Sequence, residues 1–350
     1  MLKPLKKLDI VISIFNQEEI IERVLYGVFK NTTTSFHLIL VFDGCSDRTK
    51  PRALAYIRKA KPRLLHELTI RDTPNLFELR ANNFGFKLAK TDYLITLQDD
   101  MIIKEYGWER RLTYPLRAFD DVLAVTARTA QDIQEIGQEG ERYMNRASRE
   151  LGTLPRDIFA VRDVICRGPI AFRTDYLQEL NYLNDNYAPG ALDDADLSLR
   201  AWIQRKWKVG SFWINYLSKQ AWSKVNAPDS TMKAWDSWRR NLIRISENFN
   251  EYLASGIKHT QDYHIKEKEI DYVVRSQPFA ERIRWASHYP LRLDKRSIKM
   301  AWRKNKRKTL ETVKKPIMGM IGFVFGPRLR KVAAEQGLKK VLVLFLREKK

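Results

Sequence analysis

Tyr93-Leu94-Ile95-Thr96-Leu97-Gln98-Asp99-Asp100 is a short run of β-favouring residues that ends on two adjacent carboxylates. Apolar residues without polar alternation mark a strand covered on both faces, as in a parallel sheet. Open α/β sheets gather their ligands at the carboxyl ends of the strands, so acids placed there face a binding crevice. Carboxylates at that position suit a hard divalent cation, and such a cation works on phosphate oxygens. An acidic turn following a strand has the same local pattern. The rest of the chain decides between the two.

Residues 8–15 (LDIVISIF) and 36–42 (FHLILVF) are further buried-strand runs, and 64–70 is a third, more polar one. Helical stretches over 17–29, 50–60 and 78–89 separate them. This alternation predicts βαβ units, right-handed crossovers and a mostly parallel sheet with helices on both faces. The loops at Asn16-Gln17, at Asp43-Gly44-Cys45-Ser46-Asp47 and at Gln98 to Asp100 all leave carboxyl ends and so converge on one edge. Downstream, strands are expected at 122–126, 170–172 and 208–216. A helix over 193–206 carries acids in its first turn, which its dipole favours. Residues 235–253 read as an amphipathic helix, and the polar stretch 131–151 as a helix or a flap.

The chain has 350 residues, 44% of them hydrophobic, enough for a large core. Its net charge of +21 is uneven. Residues 278–350 hold 21 Lys and Arg against 5 Asp and Glu, a balance of +16, which leaves +5 for everything before them. The expected organisation is a catalytic body over 1–255 and a basic, partly amphipathic helical extension over 256–350. The extension includes Trp302-Arg303-Lys304-Asn305-Lys306-Arg307-Lys308 and an uncharged run from Pro316 to Gly326. Such a tail fits an anionic membrane surface, and equally a helical segment packed on the body or on a second subunit. A nucleic-acid role is disfavoured because no binding module accompanies the charge. Two cysteines, Cys45 and Cys166, are too few for a disulfide framework and point to a reducing, cytoplasmic setting. No secretory leader and no apolar run of membrane-spanning length is read.

Four islands stand in order: Val11-Ile12-Ser13-Ile14-Phe15-Asn16-Gln17-Glu18-Glu19; Asp43-Gly44-Cys45-Ser46-Asp47; Leu97-Gln98-Asp99-Asp100; and Asp193-Asp194-Ala195-Asp196-Leu197-Ser198-Leu199-Arg200. Together they resemble the family 2 glycosyltransferases, with their Rossmann-like GT-A fold, over residues 8–253. The resemblance implies a nucleotide-diphosphate sugar as donor and a glycan or lipid-linked hydroxyl as acceptor. It implies that Ile14, Phe15, Asn16 and Glu18 surround the base and ribose, and that Asp43 bonds the base. Asp100 falls where a magnesium or manganese ion is held on the diphosphate, and Asp99 where the ribose or a metal-bound water is met. Asp194, or else Asp193, takes the place of the general base of an inverting transfer. Asn83, with Arg80 and Gly85, falls at a sugar- or phosphate-facing helix start, and Arg167-Gly168-Pro169 at an acceptor-side loop. Asp196 and Arg200 are expected to form a local ion pair, and Trp108, Trp202, Trp222, Trp235 and Trp238 to serve as packing anchors before sugar platforms.

Two departures from the pattern stand out. Gln98 replaces the first acid of the family's DXD-type motif, and no histidine stands near Asn215 to Lys224, where the family often places a metal-facing one. The QxxRW signature of processive synthases is absent, which favours transfer of one sugar. Three rivals remain. A sugar nucleotidyltransferase needs a glycine-rich loop where Phe15-Asn16-Gln17-Glu18 has none. A non-catalytic nucleotide- or glycan-binding protein would explain Gln98 as decay. A basic membrane- or nucleic-acid-binding protein would rest on the tail alone.

Overall fold

A computed structural model of the chain describes residues 2–135, 142–144, 155–218, 230–255, 259–266 and 269–271. Nine strands form the main sheet: β1 (Lys7–Ile14), β2 (Ser35–Asp43), β3 (Leu65–Thr73), β4 (Tyr93–Gln98), β5 (Val122–Thr126), β6 (Ile158–Arg162), β7 (Ile170–Arg173), β8 (Lys208–Phe212) and β9 (Gln261–His264). Their spatial order is β9-β6-β8-β5-β7-β4-β1-β2-β3. β1 pairs in parallel with β2 and β4, β2 with β3, and β8 with β5, whereas β7 opposes β4 and β5, and β6 opposes β8 and β9. Only β6 and β7 therefore run against the rest, so the mostly parallel α/β sheet expected from the sequence is the one observed.

The burial of each strand explains its residues. β1 and β2 are covered on both faces, and Ile10, Val11, Ile12 and Leu38 to Val41 have no exposed surface. β3 lies at the sheet edge with Arg71 and Asp72 exposed, a charged border that blocks further pairing. The helices that join and cover the strands are α1 (Ile21–Asn31), α2 (Thr49–Ala60), α3 (Phe77–Phe86), α4 (Trp108–Ala118), α5 (Thr174–Glu179), α6 (Asp193–Arg205) and α7 (Ser230–Asn248). α1 buries Ile21, Val24, Leu25 and Val28 along one face, the spacing of an amphipathic helix.

Several elements depart from the sequence expectations. α4 lies outside the expected helices because its sequence, WERRLTYPLRA, is rich in arginine. Arg111 and Arg117 are nevertheless fully buried, Arg111 Nε donating to the Trp213 carbonyl at 2.7 Å and Arg117 Nη2 to Asp271 Oδ1 at 2.5 Å. Within 131–151, expected as a helix or a flap, Ile133–Glu135 and Arg142–Met144 pair as short antiparallel strands, and residues 136–141 and 145–151 lie outside the described residues. β9 lies beyond the boundary expected at 255/256 and pairs with β6. The chain divides into compact units Met1–Phe279 and Ala280–Lys350. The basic tail lies outside the described residues. Among those described, no helix is long and apolar enough to cross a membrane.

α1 sets the height of the strand that follows the acidic pair. Asn31 Nδ2 donates to the carbonyls of Gly27 and Ile103, both at 2.9 Å, tying the helix to Met101–Ile103. A Cβ on Gly27 would lie 2.8 Å from Ile103 O and 2.9 Å from Ile103 N, atoms of a backbone that cannot step aside. Gly27→Ala should therefore destabilise the protein by about 1–3 kcal/mol in urea denaturation. An unchanged midpoint would mean that this contact does not set the spacing.

Candidate active site

The carboxyl ends of β1, β2 and β4 open on one cleft, together with the start of α3. Its walls include Ile14, Phe15, Asp43, Asn75, Phe77, Glu78, Asn82, Gln98, Asp99 and Asp100. Backbone geometry and side-chain bonds tie the three strand ends together. Asn16 sits in the left-handed region at φ 48°, a conformation that asparagine tolerates. Its Oδ1 accepts from the Ser46 N–H at 2.9 Å and the Asp47 N–H at 3.3 Å, so it fastens the β1 loop to the β2 loop. Glu18 does the same: its N–H donates to Asp47 Oδ2 at 3.2 Å and its Oε2 accepts from the Arg48 N–H at 3.1 Å. Asp43 Oδ1 accepts from Thr73 Oγ1 at 2.8 Å and from the Leu76 N–H at 2.7 Å, which fixes the turn leading into α3.

The two acids after β4 have different duties. Asp99 accepts from the Phe15 N–H at 2.8 Å through Oδ2 and from Gln17 Nε2 at 3.2 Å through Oδ1, so it clamps the β1 loop. Loss of water around it raises its pKa to about 8, with the charges of Asp100 and Glu78 pushing the same way. Asp100 is 8% exposed and accepts from Ser218 Oγ at 3.2 Å. Burial raises its pKa as well, against the Ser218 hydrogen bond. Among the described residues, no cluster of three or more His, Cys, Asp or Glu side chains is placed to hold a metal. A single carboxylate of this kind fits a hard cation that takes most of its ligands from phosphate and water.

A second, smaller hollow lies behind a partition made of Glu78, Asn82 and Gln98, which line both spaces. Its other walls include Arg167, Asp193, Asp194 and the apolar Phe86, Ile165, Phe172 and Leu197. Gln98 Nε2 donates to Glu78 Oε1 at 2.8 Å, and Arg167 Nη1 reaches Glu78 Oε2 at 2.5 Å. The other end of the Arg167 guanidinium pairs with Asp193, which is fully buried. Burial alone would lower the Arg167 pKa, but the carboxylates of Asp193, Glu78 and Asp194 outweigh it and raise it. Asp194 accepts from the Arg167 N–H and from the Ala195 N–H, both at 2.9 Å. Desolvation, followed by the Asp193 charge, raises its pKa to about 7 against the pull of Arg167. This is a carboxyl group poised between its two protonation states near neutrality, the property a general base needs.

Residues 9–179 match the family described as glycosyl transferase family 2. That stretch belongs to this family. No curated protein matches the chain in sequence. Among solved structures, TarS 1-349 of S. aureus resembles it at 15% identity and a TM-score of 0.39, over 61% of this chain and 59% of that one. A mannosyltransferase from Pyrobaculum calidifontis, PcManGT, in complex with GDP-Man and Mn2+, does so at 13% identity and a TM-score of 0.44, over 71% of this chain and 65% of that one. The chain thus spans less than two thirds of either solved structure.

The sequence-selected residues, within that stretch and beyond it, separate into groups. Ile14, Phe15, Asp43, Asp99 and Asp100 line the cleft, and Asp193 and Asp194 the hollow beside it. Asn16 and Glu18 bond the loops instead of lining the cleft. Asn83 faces away: its Nδ2 donates to Leu183 O at 2.7 Å and Asp185 Oδ1 at 2.8 Å, and its Oδ1 accepts from the Leu183 N–H at 3.0 Å. α3 turns Glu78, Ala81 and Asn82 toward the cleft, while Arg80 is exposed. Spacing by three and four from the acid Glu78 could have indicated that phase. The close approach that Gly168 permits is to Arg128, whose Cβ lies 2.8 Å from where a Gly168 Cβ would be. Arg200 Nε bonds Asp196 at 2.7 Å, the expected local pair. Trp108 is fully buried, donating to Thr32 Oγ1 at 3.1 Å, and Trp202 stacks on His259 with centroids 3.8 Å apart. Trp238 packs against the core, while Trp222 and the Trp235 side chain lie outside the described residues.

Arg167 is the cation shared by Glu78 and Asp193, so removing it leaves Asp193 buried and unpaired. Arg167→Leu should cost about 3–5 kcal/mol in denaturant unfolding, while Asp193→Leu in the Arg167→Leu background should restore part of that loss. Additive losses in that cycle would contradict the pairing.

Proposed function

We propose that this chain transfers one sugar from a nucleotide-diphosphate sugar to a hydroxyl of a glycan or lipid-linked acceptor, with inversion at the anomeric carbon. The observation that carries the reading is the shared partition. Glu78, Asn82 and Gln98 wall both the cleft at the ends of β1, β2 and β4 and the hollow that holds Asp194. A donor seated in the cleft would present its anomeric carbon toward that partition, with Asp194 on the far side, where an acceptor approaches.

Asp194 is the better base of the two acids. Asp193 is held by the Arg167 guanidinium and is fully buried, whereas Asp194 keeps partial exposure and accepts only two backbone N–H groups. In the proposed step the acceptor oxygen bonds to the anomeric carbon as that carbon's bond to the diphosphate breaks, and the acceptor proton passes to Asp194. Asp43 would receive the base, and Ile14 and Phe15 would flank base and ribose. Asp100 would hold a magnesium or manganese ion, which supplies positive charge against the departing diphosphate. The basic extension would bring the enzyme to an anionic membrane surface on the cytoplasmic side, close to a lipid-linked acceptor.

Asp194→Asn should lower kcat by about 100- to 10,000-fold while nucleotide binding persists. Wild-type kcat should rise with pH through about 7, because only the ionised carboxylate accepts the acceptor proton. In a thermal-shift panel of uridine, guanosine and thymidine diphosphates, one nucleotide should stabilise the protein in a manganese-dependent manner that Asp100→Ala removes. Nucleotide binding without turnover on any acceptor would replace this reading with the non-catalytic one. No binding by any nucleotide would remove both.

A further inference from the structure

Phe77 is the first residue of α3, and three observations about it conflict with a purely structural role. Its backbone lies in the left-handed region at φ 64°, where a Cβ is crowded and glycine is the favoured residue. Its side chain is 43% exposed, among the most exposed large hydrophobic groups of the described chain. It also lines the cleft. A residue that gains little from burial and strains its own backbone is held in place by something other than folding, and such outliers collect at ligand clamps.

The neighbours say which part of a ligand it would meet. The Asp43 carboxylate accepts from the Leu76 N–H at 2.7 Å, so the residue before Phe77 is bonded directly to the acid at the end of β2. Gly44, at φ 67°, packs its Cα against Asn75, with the Asn75 N and Cβ 2.9 Å from where a Gly44 Cβ would stand. The turn 75–77 is therefore seated on the β2 loop, beside Asp43. Asp43 offers an acceptor for a base N–H, and beside it Phe77 offers a flat apolar face. Hydrogen bonding at a base edge and stacking on a base face are complementary demands of one planar heterocycle.

We propose that Phe77 is the stacking wall for the nucleobase of the donor, retained at the expense of backbone strain; this rests on the donor-binding reading above. Stacking is tolerant of base identity, so Phe77 contributes affinity while Asp43 contributes discrimination.

The test is calorimetric binding of uridine and guanosine diphosphates and of inorganic pyrophosphate, with manganese, to the full chain and its Phe77→Gly, Phe77→Leu and Phe77→Tyr variants. Phe77→Gly should raise the melting temperature of the free protein by about 2 °C, since it removes the strain. It should also weaken the bound nucleotide about tenfold or more. Phe77→Leu should lose affinity without gaining stability, Phe77→Tyr should keep affinity within about twofold, and pyrophosphate should bind all four proteins alike. Nucleotide affinities that stay within twofold across the Gly and Leu variants overturn the proposal while leaving the donor site intact. Equal loss for pyrophosphate would reassign Phe77 to the shape of the whole cleft. Failure of the wild type to bind either nucleotide would sink the donor reading itself, and this proposal with it.

Discussion

One guanidinium holds three parts of this molecule in register. Arg167 stands between Glu78 on α3 and Asp193 on α6, and its own backbone N–H bonds Asp194. In a site with little water each of those carboxylates would be costly unpaired, and the single cation makes their proximity tolerable. Arginine suits the place because its rigid fork serves two acids at once. The same arrangement separates the two neighbouring aspartates chemically. Asp193 is taken up by the cation, and its charge helps push Asp194 toward neutrality. A pair of adjacent acids thus becomes one carboxylate anchored by the cation and one whose pKa is raised to about 7.

The loop that delivers those acids and the helix that holds it both lie beyond residue 179, where the family match ends. Ala191 and Leu192 both adopt left-handed backbone, at φ 78° and 63°, each costing about 1–2 kcal/mol for a residue with a Cβ. Asn241, with no exposed surface on α7, donates through Nδ2 to the carbonyls of Tyr187, Gly190 and Ala191 at 2.9 to 3.0 Å. Arg240 adds a bond to Ala188 O at 2.9 Å. The strain at the entry to α6 is therefore offset by Asn241, 50 residues after Ala191 in the chain.

The cleft itself follows a simpler rule. Parallel strands place their carboxyl ends on one edge, and the loops there are free to carry polar residues because the strands beneath them are closed by apolar packing. Asp99 shows the cost of keeping such loops in place. It spends both oxygens on the β1 loop and is driven toward the neutral form by its surroundings, leaving Asp100 as the acid of the pair with an oxygen left for a ligand.

What the sequence determined alone is the set of strands whose burial is two-sided, since unbroken apolar runs admit no other placement, and the positions where those runs stop on acids. Local order therefore indicated the parallel sheet, the edge where its carboxyl ends meet, and the acids Asp43, Asp99 and Asp100 there, whereas Asp193 and Asp194 were selected through the resemblance to the family. Tertiary structure decided everything that depends on partners distant in the chain. Asn16, Glu18 and Asn83 hold loops because their hydrogen-bonding neighbours came to meet them. Glu78 became part of the site because the phase of α3 turned it inward. α4 buries two arginines because carbonyls and an aspartate from remote segments receive them. Composition records which side chains are present, but a charged group's role is set by what desolvates and pairs it, and that is fixed only when the chain closes on itself.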